Sequence, residues 1–539
     1  MMKKIICTLL CVSLLCAAFL LPASALTEPD KPSPWLRPLY DLGDFAAKGL
    51  IGAITAAYPP PPGLTCEFAD PLLPPGTGAF LAAPAGEKAW RLGYAKASLL
   101  AGYGGDIYDG RHYVIGAIDA IGKRQPTGVY DDQMLRVTAV SDGSGRGTAV
   151  FISVDAYGIT SAQVRKIRQA ALAMDGMGDV VSVNVSSLHQ HSAIDTLGMG
   201  GNLIAALFAN PLAMYTGWYA PFSGKSPAFM EHLTQLAAQT ARKAVGNMTP
   251  GTMTYSKADV SEFILDRRTP VSFDPYLHRL RFIPKDDTAE TWLCNMALHP
   301  VCTGLTPTVV SGDYPYYMEQ AIFAARGANF QMIQGAMMAI DPSYTPGALP
   351  EEERFLEMER FGRRIAQRLL DLPKSAETAV KPILNIAHRS YALPVDNPLH
   401  LLMFRLGILE ANGRKKDLWG TKIELCTEVG YVEFGDCLAA AIVPGELDGS
   451  LAFGGQLTAE QAWNGWVWEF TPICEMVKGK ELMIFGLTND MSGYMIQPND
   501  ISHFIVFENE EINAAGKEAA PRALQAFSQL LEDALPPAV

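Results

Sequence analysis

Cysteine, histidine and basic charge are all scarce in this chain. Only 9 of its 539 residues are cysteine and no Cys-x-x-Cys occurs, which argues against both a cysteine zinc knuckle and a disulfide-built scaffold. Lys and Arg total 43 against 56 Asp and Glu, a net charge of −13 with no basic run of note. A non-specific nucleic-acid binder is thereby excluded, because that role needs a basic surface to displace counterions from phosphates. No apolar stretch beyond the first 25 residues is long enough to suggest a second membrane span. Internal repeats and low-complexity tails are also missing. What is present is a hydrophobic fraction of 49%, enough for one large catalytic unit or two to three ordinary domains.

Residues 1–25 read as a secretory signal peptide. Lys3 and Lys4 precede an apolar run from Ile5 to Leu21, and Pro22-Ala-Ser-Ala25 supplies small residues for cleavage. The expected location is secreted or extracytoplasmic; an uncleaved N-terminal anchor is the second reading, since about 17 apolar residues is the short limit for a spanning helix. Cleavage would remove Cys7, Cys11 and Cys16 and leave six cysteines, with Cys294 and Cys302, or Cys426 and Cys437, the nearest pairs for a single bridge. Residues 26–89 form an N-terminal extension. It holds an amphipathic helix around Asp41 to Ala57 and the proline run Pro59 to Pro62, a stiff connector. That helix either packs on the main body or lies against a membrane.

From Trp90 onward, strand-like and helical patterns alternate to the end of the chain. Strands are predicted at Leu92–Lys96, Leu135–Val140, Thr148–Val154, Tyr276–Ile283, Thr291–Ala297, Phe330–Ile333, Ala439–Val443 and Leu482–Leu487. Helices are predicted at Ser161–Ala173, Ser226–Val245, Tyr316–Ala325, Glu351–Leu370 and Ala514–Leu531. Strand, helix and strand across residues 148–187 suggest a βαβ unit, and the class is α/β, a mixed sheet with surrounding helices. Residues 198–225, rich in Gly, Met, Ala and aromatics, read as a buried loop or short helix under the active face, or as a lipid-contacting lid.

The chemistry concentrates where a β-branched run starting at Val180 ends in Leu188-His-Gln-His191. In an extended strand residues two apart share a face, so His189 and His191 are expected to converge at the strand's end, where α/β folds keep their sites. A second strand end carries His299-Pro300, and two purposeful turns follow, Val443-Pro-Gly-Glu446 and Thr488-Asn-Asp-Met-Ser-Gly-Tyr494. Imidazoles without cysteines suit a catalytic zinc site, in which a His, His, Glu set plus another oxygen ligand leaves a position for water. Taken singly, each of these residues has an ordinary structural reading: strand-end histidines are commonly hydrogen-bonded fixtures and Pro-Gly-Glu is a common turn.

Taken in order, Leu92-Gly-Tyr-Ala-Lys, Gly128-Val-Tyr-Asp-Asp-Gln-Met-Leu-Arg, Ser187-Leu-His-Gln-His-Ser-Ala-Ile-Asp-Thr, Asn295-Met-Ala-Leu-His-Pro, Ser311-Gly-Asp-Tyr-Pro, Pro444-Gly-Glu and Asn489-Asp-Met-Ser-Gly-Tyr resemble the neutral, non-lysosomal ceramidase family. The resemblance covers most of the chain from about Gly93 to Leu531. It implies a ceramidase-like zinc hydrolase domain over 90–539 that cleaves the amide bond of ceramide or a related N-acyl lipid. It further implies one zinc ion on His189, His299, Glu446 and Tyr494. His191 would sit beside the metal-bound water or the substrate carbonyl as hydrogen-bond donor or proton shuttle, and Arg267 matches a family arginine near the substrate. The implied partners are a lipid or N-acyl small molecule and a peripheral membrane contact, with no nucleic acid.

The departures from that family are equally specific. The family's Gln-Gly-Asp-Val-Ser-Pro-Asn loop appears as Gln334-Gly-Ala-Met-Met-Ala-Ile340, placing Met338 where the family has serine. A late tyrosine falls at Phe507, Tyr130 replaces a histidine, and no C-terminal immunoglobulin-like domain follows within this sequence. Two other readings remain at this point: a zinc esterase or amidase acting on another acylated or cell-wall-derived compound, and a degenerate binding protein.

Overall fold

In the computed structural model, two β-sheets lie face to face, and the chemistry-bearing loops leave from one end of both. The structure describes residues 37–57, 76–117, 122, 124–202, 204–206, 209, 223–410, 412–416, 422–503 and 510–535. The N-terminal run, the proline connector, most of 203–222 and Phe507 lie outside the described residues.

The first sheet has nine strands, in the spatial order Asn329–Gln334, Thr291–Met296, Tyr276–Pro284, Thr249–Asp259, Trp90–Ser98, Met134–Ser141, Thr148–Val154 and Val180–Ser187, with Thr378–Val380 pairing onto Thr249–Asp259. The predicted βαβ unit is there: Thr148–Val154 and Val180–Ser187 are parallel, joined through the helix Ser161–Leu172. All seven residues of Thr148–Val154 are buried, which accounts for its unbroken apolar sequence. The Asp313–Arg326 helix likewise joins the parallel pair Thr291–Met296 and Asn329–Gln334.

The second sheet runs Leu384–Val395, Ile423–Phe434, Leu438–Ile442 and Glu481–Phe485, with Gly413–Lys415 paired onto Ile423–Phe434. It packs on the first through Trp90, Phe151 and Phe282 from one side and Ile386, Phe434 and Phe485 from the other. The helices Ser161–Leu172, Pro227–Gly246, Asp313–Arg326 and Glu351–Leu370 cover the outer face of the first sheet. Ala519–Ala534 covers the second. The expected mixed-sheet α/β class is present as helix, sheet, sheet and helix layers, so each apolar sheet face meets another element.

The Asp41–Ala57 helix is present as Arg37–Ala57 and packs on Pro398–Arg405 through Ile51, against Leu399, Leu402 and Met403. None of the described helices is long and apolar enough to cross a membrane. Neither suggested disulfide forms, since all five described cysteines are free. Cys294 and Cys302 pack separately in the core under the first sheet's helices. Cys426 and Cys437 sit toward opposite ends of the Ile423–Phe434 strand and its hairpin, beyond the short reach of a disulfide.

A buried ion network crosses the first sheet. Arg136, fully buried, donates to Asp155 Oδ1 at 2.8 Å and to Glu319 Oε2 at 2.7 Å, while Lys96 donates to Glu319 at 2.6 Å. Burial alone would lower the guanidinium's pKa, but the two carboxylates outweigh it and hold the group charged. Replacing Arg136 with methionine keeps the volume, leaves Asp155 without its cation and leaves Glu319 with Lys96 alone. The expected loss is roughly 3–5 kcal/mol of unfolding free energy, read from urea melts.

Candidate metal centre

The candidate residues follow the carboxyl ends of parallel strands in both sheets. His189 lies beyond Val180–Ser187, His299 beyond Thr291–Met296, Glu446 beyond Leu438–Ile442 and Tyr494 beyond Glu481–Phe485. Parallel strands aim their C-terminal loops at a common rim. Here the stacking of two sheets makes that rim shared.

The route by which the histidine pair converges differs from the extended-strand expectation. The strand stops at Ser187, and His189 takes a left-handed backbone with φ of 68°. A turn, not strand alternation, brings the two rings to 5.1 Å between centroids. Ala339, Leu487 and Asn489, in segments packed around it, are also non-glycine residues at positive φ. Each such conformation costs on the order of 1–3 kcal/mol, and strain of this kind collects at functional sites.

Two histidines are held as fixed tautomers. The Nδ1 atom of His189 bonds the Tyr157 carbonyl at 2.7 Å, and that of His299 bonds the Ile340 carbonyl at 2.9 Å. A carbonyl only accepts, so each Nδ1 carries the proton and each Nε2 presents a lone pair, as in histidines that ligate metals. These two Nε2 atoms face the two oxygens of Glu446, at 3.5 Å from His189 and 3.1 Å from His299. Glu446 is fully buried, and among the described residues neither its Oε1 nor His189 Nε2 has a hydrogen-bond partner.

His299 Nε2 lies within hydrogen-bond distance of Glu446 Oε2, where a proton can bridge them, whereas His189 Nε2 and Oε1 face one another unbridged in a dry site, which is unfavourable unless a cation lies between them. Burial pushes His189 down to about 4 despite the carboxylate. Burial also acts against the charged form of His299, but the nearer Glu446 oxygen outweighs it and raises the pKa. The carboxylate thus favours a positive charge on the His299 side. Two neutral-capable imidazoles and a carboxylate are a donor set that zinc accepts.

Glu446 is placed by a short parallel ladder in which it pairs with Tyr494 and Leu447 pairs with Met495. Its amide donates to the Gly493 carbonyl at 3.1 Å. A Cβ on Gly445 would come within 2.4 Å of that carbonyl oxygen, so the glycine of Pro-Gly-Glu is demanded by this close approach. Tyr494 is buried and packs with Met338 and Ala339. Met338 in turn donates its amide to the Leu447 carbonyl at 3.2 Å. Met338, which the motif order sets where a serine was expected, therefore lies in the segment beside Glu446 and presents a thioether.

His191 adjoins the pair without sharing its anchoring. The three imidazoles of His189, His191 and His299 have ligand atoms within 4.8 Å of one another and could hold a metal ion. Among the described residues, neither ring nitrogen of His191 has a hydrogen-bond partner. Burial, then the neighbouring His189, His299, Arg124 and Arg267, drives its pKa well down, so the ring is neutral. Arg267 sits at the side of the site, bonded to Asp341 at 2.6 Å; Asp341 lies 3.8 Å from His299 Nδ1. Arg268, its neighbour, points elsewhere, to Asp500 at 2.6 Å. Tyr130 is away from these residues: its ring stacks on Phe355 at 4.3 Å and its hydroxyl reaches Glu359.

Several contributors were not singled out from sequence. Tyr157 supplies the carbonyl that anchors His189, stacks on that ring at 4.0 Å and meets His191 edge-on at 4.9 Å. It lies three residues past Val154, so the strand-end rule could have found it. Gln190 turns away from its flanking histidines to donate to Asp155 at 3.0 Å, tying the loop to the Arg136 network. Arg124 is buried on the carbonyls of Val114, Ile115 and Ala117, with no motif to mark it. Beside Tyr157, a small cavity of about 50 Å³ is walled by Leu197, Met199, Phe404, Leu409, Leu425 and Met491, with Asp490 and Glu410 on its polar side.

No known protein family's sequence profile matches the chain, and no characterised protein matches it by sequence. Its fold, in contrast, is that of solved ceramidase structures. The neutral ceramidase from Pseudomonas aeruginosa superposes with a TM-score of 0.60 at 14% identity, over 84% of this chain and 76% of that one. A ceramidase complexed with C2 gives 0.60 and 14%, over 84% of this chain and 77% of that one.

Proposed function

We propose that this chain is a zinc-dependent hydrolase that cleaves the amide bond of ceramide or a related N-acyl lipid. The observation that carries the reading is the meeting of two tautomer-fixed Nε2 lone pairs with the buried Glu446 carboxylate. The ceramidase-like fold and the family's motif order support the substrate class.

In this reading His189, His299 and Glu446 hold the ion and Tyr494, beside Glu446 on the ladder, completes the set. A zinc ion there would supply Lewis acidity toward the amide carbonyl and lower the pKa of water toward ~7. The chain's own residues do the rest. His191, kept neutral and without a fixed partner, accepts or donates a proton at the carbonyl. Arg267, oriented by Asp341, places positive charge near the position where negative charge develops. The small cavity beside Tyr157 offers a Leu, Met and Phe wall next to the histidine cluster, against which an apolar part of the substrate would start. Met338 leaves no serine nucleophile at its position. The N-terminal run would deliver the enzyme to an extracytoplasmic location as leader or anchor.

Purified protein is expected to carry about one zinc per chain and to release fatty acid from a fluorescent ceramide, with activity lost on chelation and restored by zinc. Absence of stoichiometric metal in the active protein would overturn the zinc assignment. Activity only on other acyl compounds would overturn the substrate. A pH test follows from the same contacts. A proton shared by His299 and Glu446 competes with the cation, so metal should be retained at neutral pH and released progressively on acidification through the raised His299 pKa. Metal content after dialysis across pH 4–8 checks this.

A further inference from the structure

The Arg37–Ala57 helix presents the wrong face to solvent for an ordinary surface helix. Leu39, Leu42 and Phe45 are 62%, 64% and 76% exposed, among the large apolar side chains most open to solvent. Their spacing of three places them on one stripe, which Ala46, Gly49, Gly52, Ala53 and Ala56 continue, all exposed as well. Asp41, 71% exposed, borders that stripe one turn before Phe45. Asp44 is buried and paired with Lys48, and Asp41 reaches His503 at 2.9 Å. Ile51 and Ile54 face the body of the protein. An amphipathic helix normally hides its apolar stripe and shows its polar one; here the domain takes one side and the opposite apolar side is left open.

We infer that this stripe docks on an uncharged lipid bilayer surface. Three observations select that occupant. The chain carries the apolar run Ile5–Leu21 with Lys3 and Lys4 before it, a segment built to enter a membrane. From Leu21 to Arg37 is sixteen residues, a reach of at most about 50–60 Å, so a chain held by that run keeps the helix at the bilayer. The net charge of −13 disfavours anionic surfaces and the stripe offers no cations for them. Finally, the helix sits on Pro398–Arg405, whose His400 and Phe404 line the cavity beside Tyr157. Docking would hold the bilayer one helix away from that cavity wall. The inference concerns binding and does not depend on the reaction proposed above.

The test compares the chain cleaved after Ala25, which lacks the apolar run, with its Leu39→Ser/Leu42→Ser/Phe45→Ser variant in flotation with phosphatidylcholine vesicles, with and without phosphatidylglycerol. Wild type is expected to float with phosphatidylcholine vesicles, no better when anionic lipid is added. The variant should partition at least about tenfold more weakly. Circular dichroism and hydrolysis of a water-soluble short-chain amide monitor folding, and a Phe45→Ser single variant, expected to show an intermediate loss, guards against a misfolded triple. Equal flotation of both proteins overturns the inference. So does failure of wild type to float. A wild-type dimer in sedimentation that the variant abolishes, with no vesicle binding, overturns it in favour of a second copy of this chain. Vesicle binding by a protein without amidase activity leaves it standing while removing the proposed function.

Discussion

Replacing His189 or His299 with alanine is expected to leave less than about a tenth of the wild-type metal content and to lower amide hydrolysis by on the order of 10³-fold or more. The magnitude follows from how little else the site offers. The ion would rest on two imidazoles and one carboxylate in a pocket where Glu446 is fully buried, so losing an imidazole removes a ligand and leaves that carboxylate without its counter-charge. Glu446→Gln probes the same point from the other side, because it removes the charge at constant shape while His189 and His299 keep their carbonyl anchors. All three variants should melt lower than wild type in added zinc, yet match metal-free wild type more closely, since bound metal stabilises only the folded state. Full metal retention in His189→Ala would contradict the ligand assignment outright. Loss of activity with unchanged metal in all three would move the chemistry away from the ion.

The class, the βαβ unit and the helix Glu351–Leu370 were legible because their periodicity is local. The second sheet was only half legible. Leu384–Val395 carries His388, Arg389 and Pro394 in a strand that is partly open, so its composition argues against its conformation. Ile423–Phe434 does alternate, but what makes it a sheet partner is Trp90, Phe151 and Phe282 packing on it from 150 to 340 residues earlier. The same division holds in the site. His189 and His191 announce themselves by type and spacing, whereas Glu446 and Tyr494 became candidates through the family's motif order, and the ladder that pairs them is a long-range contact. Tyr157 and Ile340 act through backbone carbonyls. A carbonyl leaves no mark in the residue alphabet, and neither does the positive φ of His189.

Replacing His191 with alanine separates two uses of the same three histidines. By distance alone, His189, His191 and His299 form a plausible ligand triad, and Glu446 would then be a neighbour. The anchoring argues otherwise. Ligating imidazoles are held through their second nitrogen, as His189 and His299 are, whereas among the described residues His191 has no such bond on either nitrogen. Its ring centroid also lies farther from His299 than that of His189 does, 5.9 Å against 5.0 Å. A ring kept neutral by burial and free of fixed partners is suited to exchanging a proton with substrate. His191→Ala is therefore expected to bind metal as wild type does, with kcat lower by roughly 10²–10⁴-fold and KM little changed. A His191→Gln variant, able to donate a hydrogen bond but not to shuttle a proton, should recover part of the rate only if the residue's main contribution is to the oxyanion. Metal loss in His191→Ala equal to that in His189→Ala would make His191 a ligand and release Glu446 for the role of base.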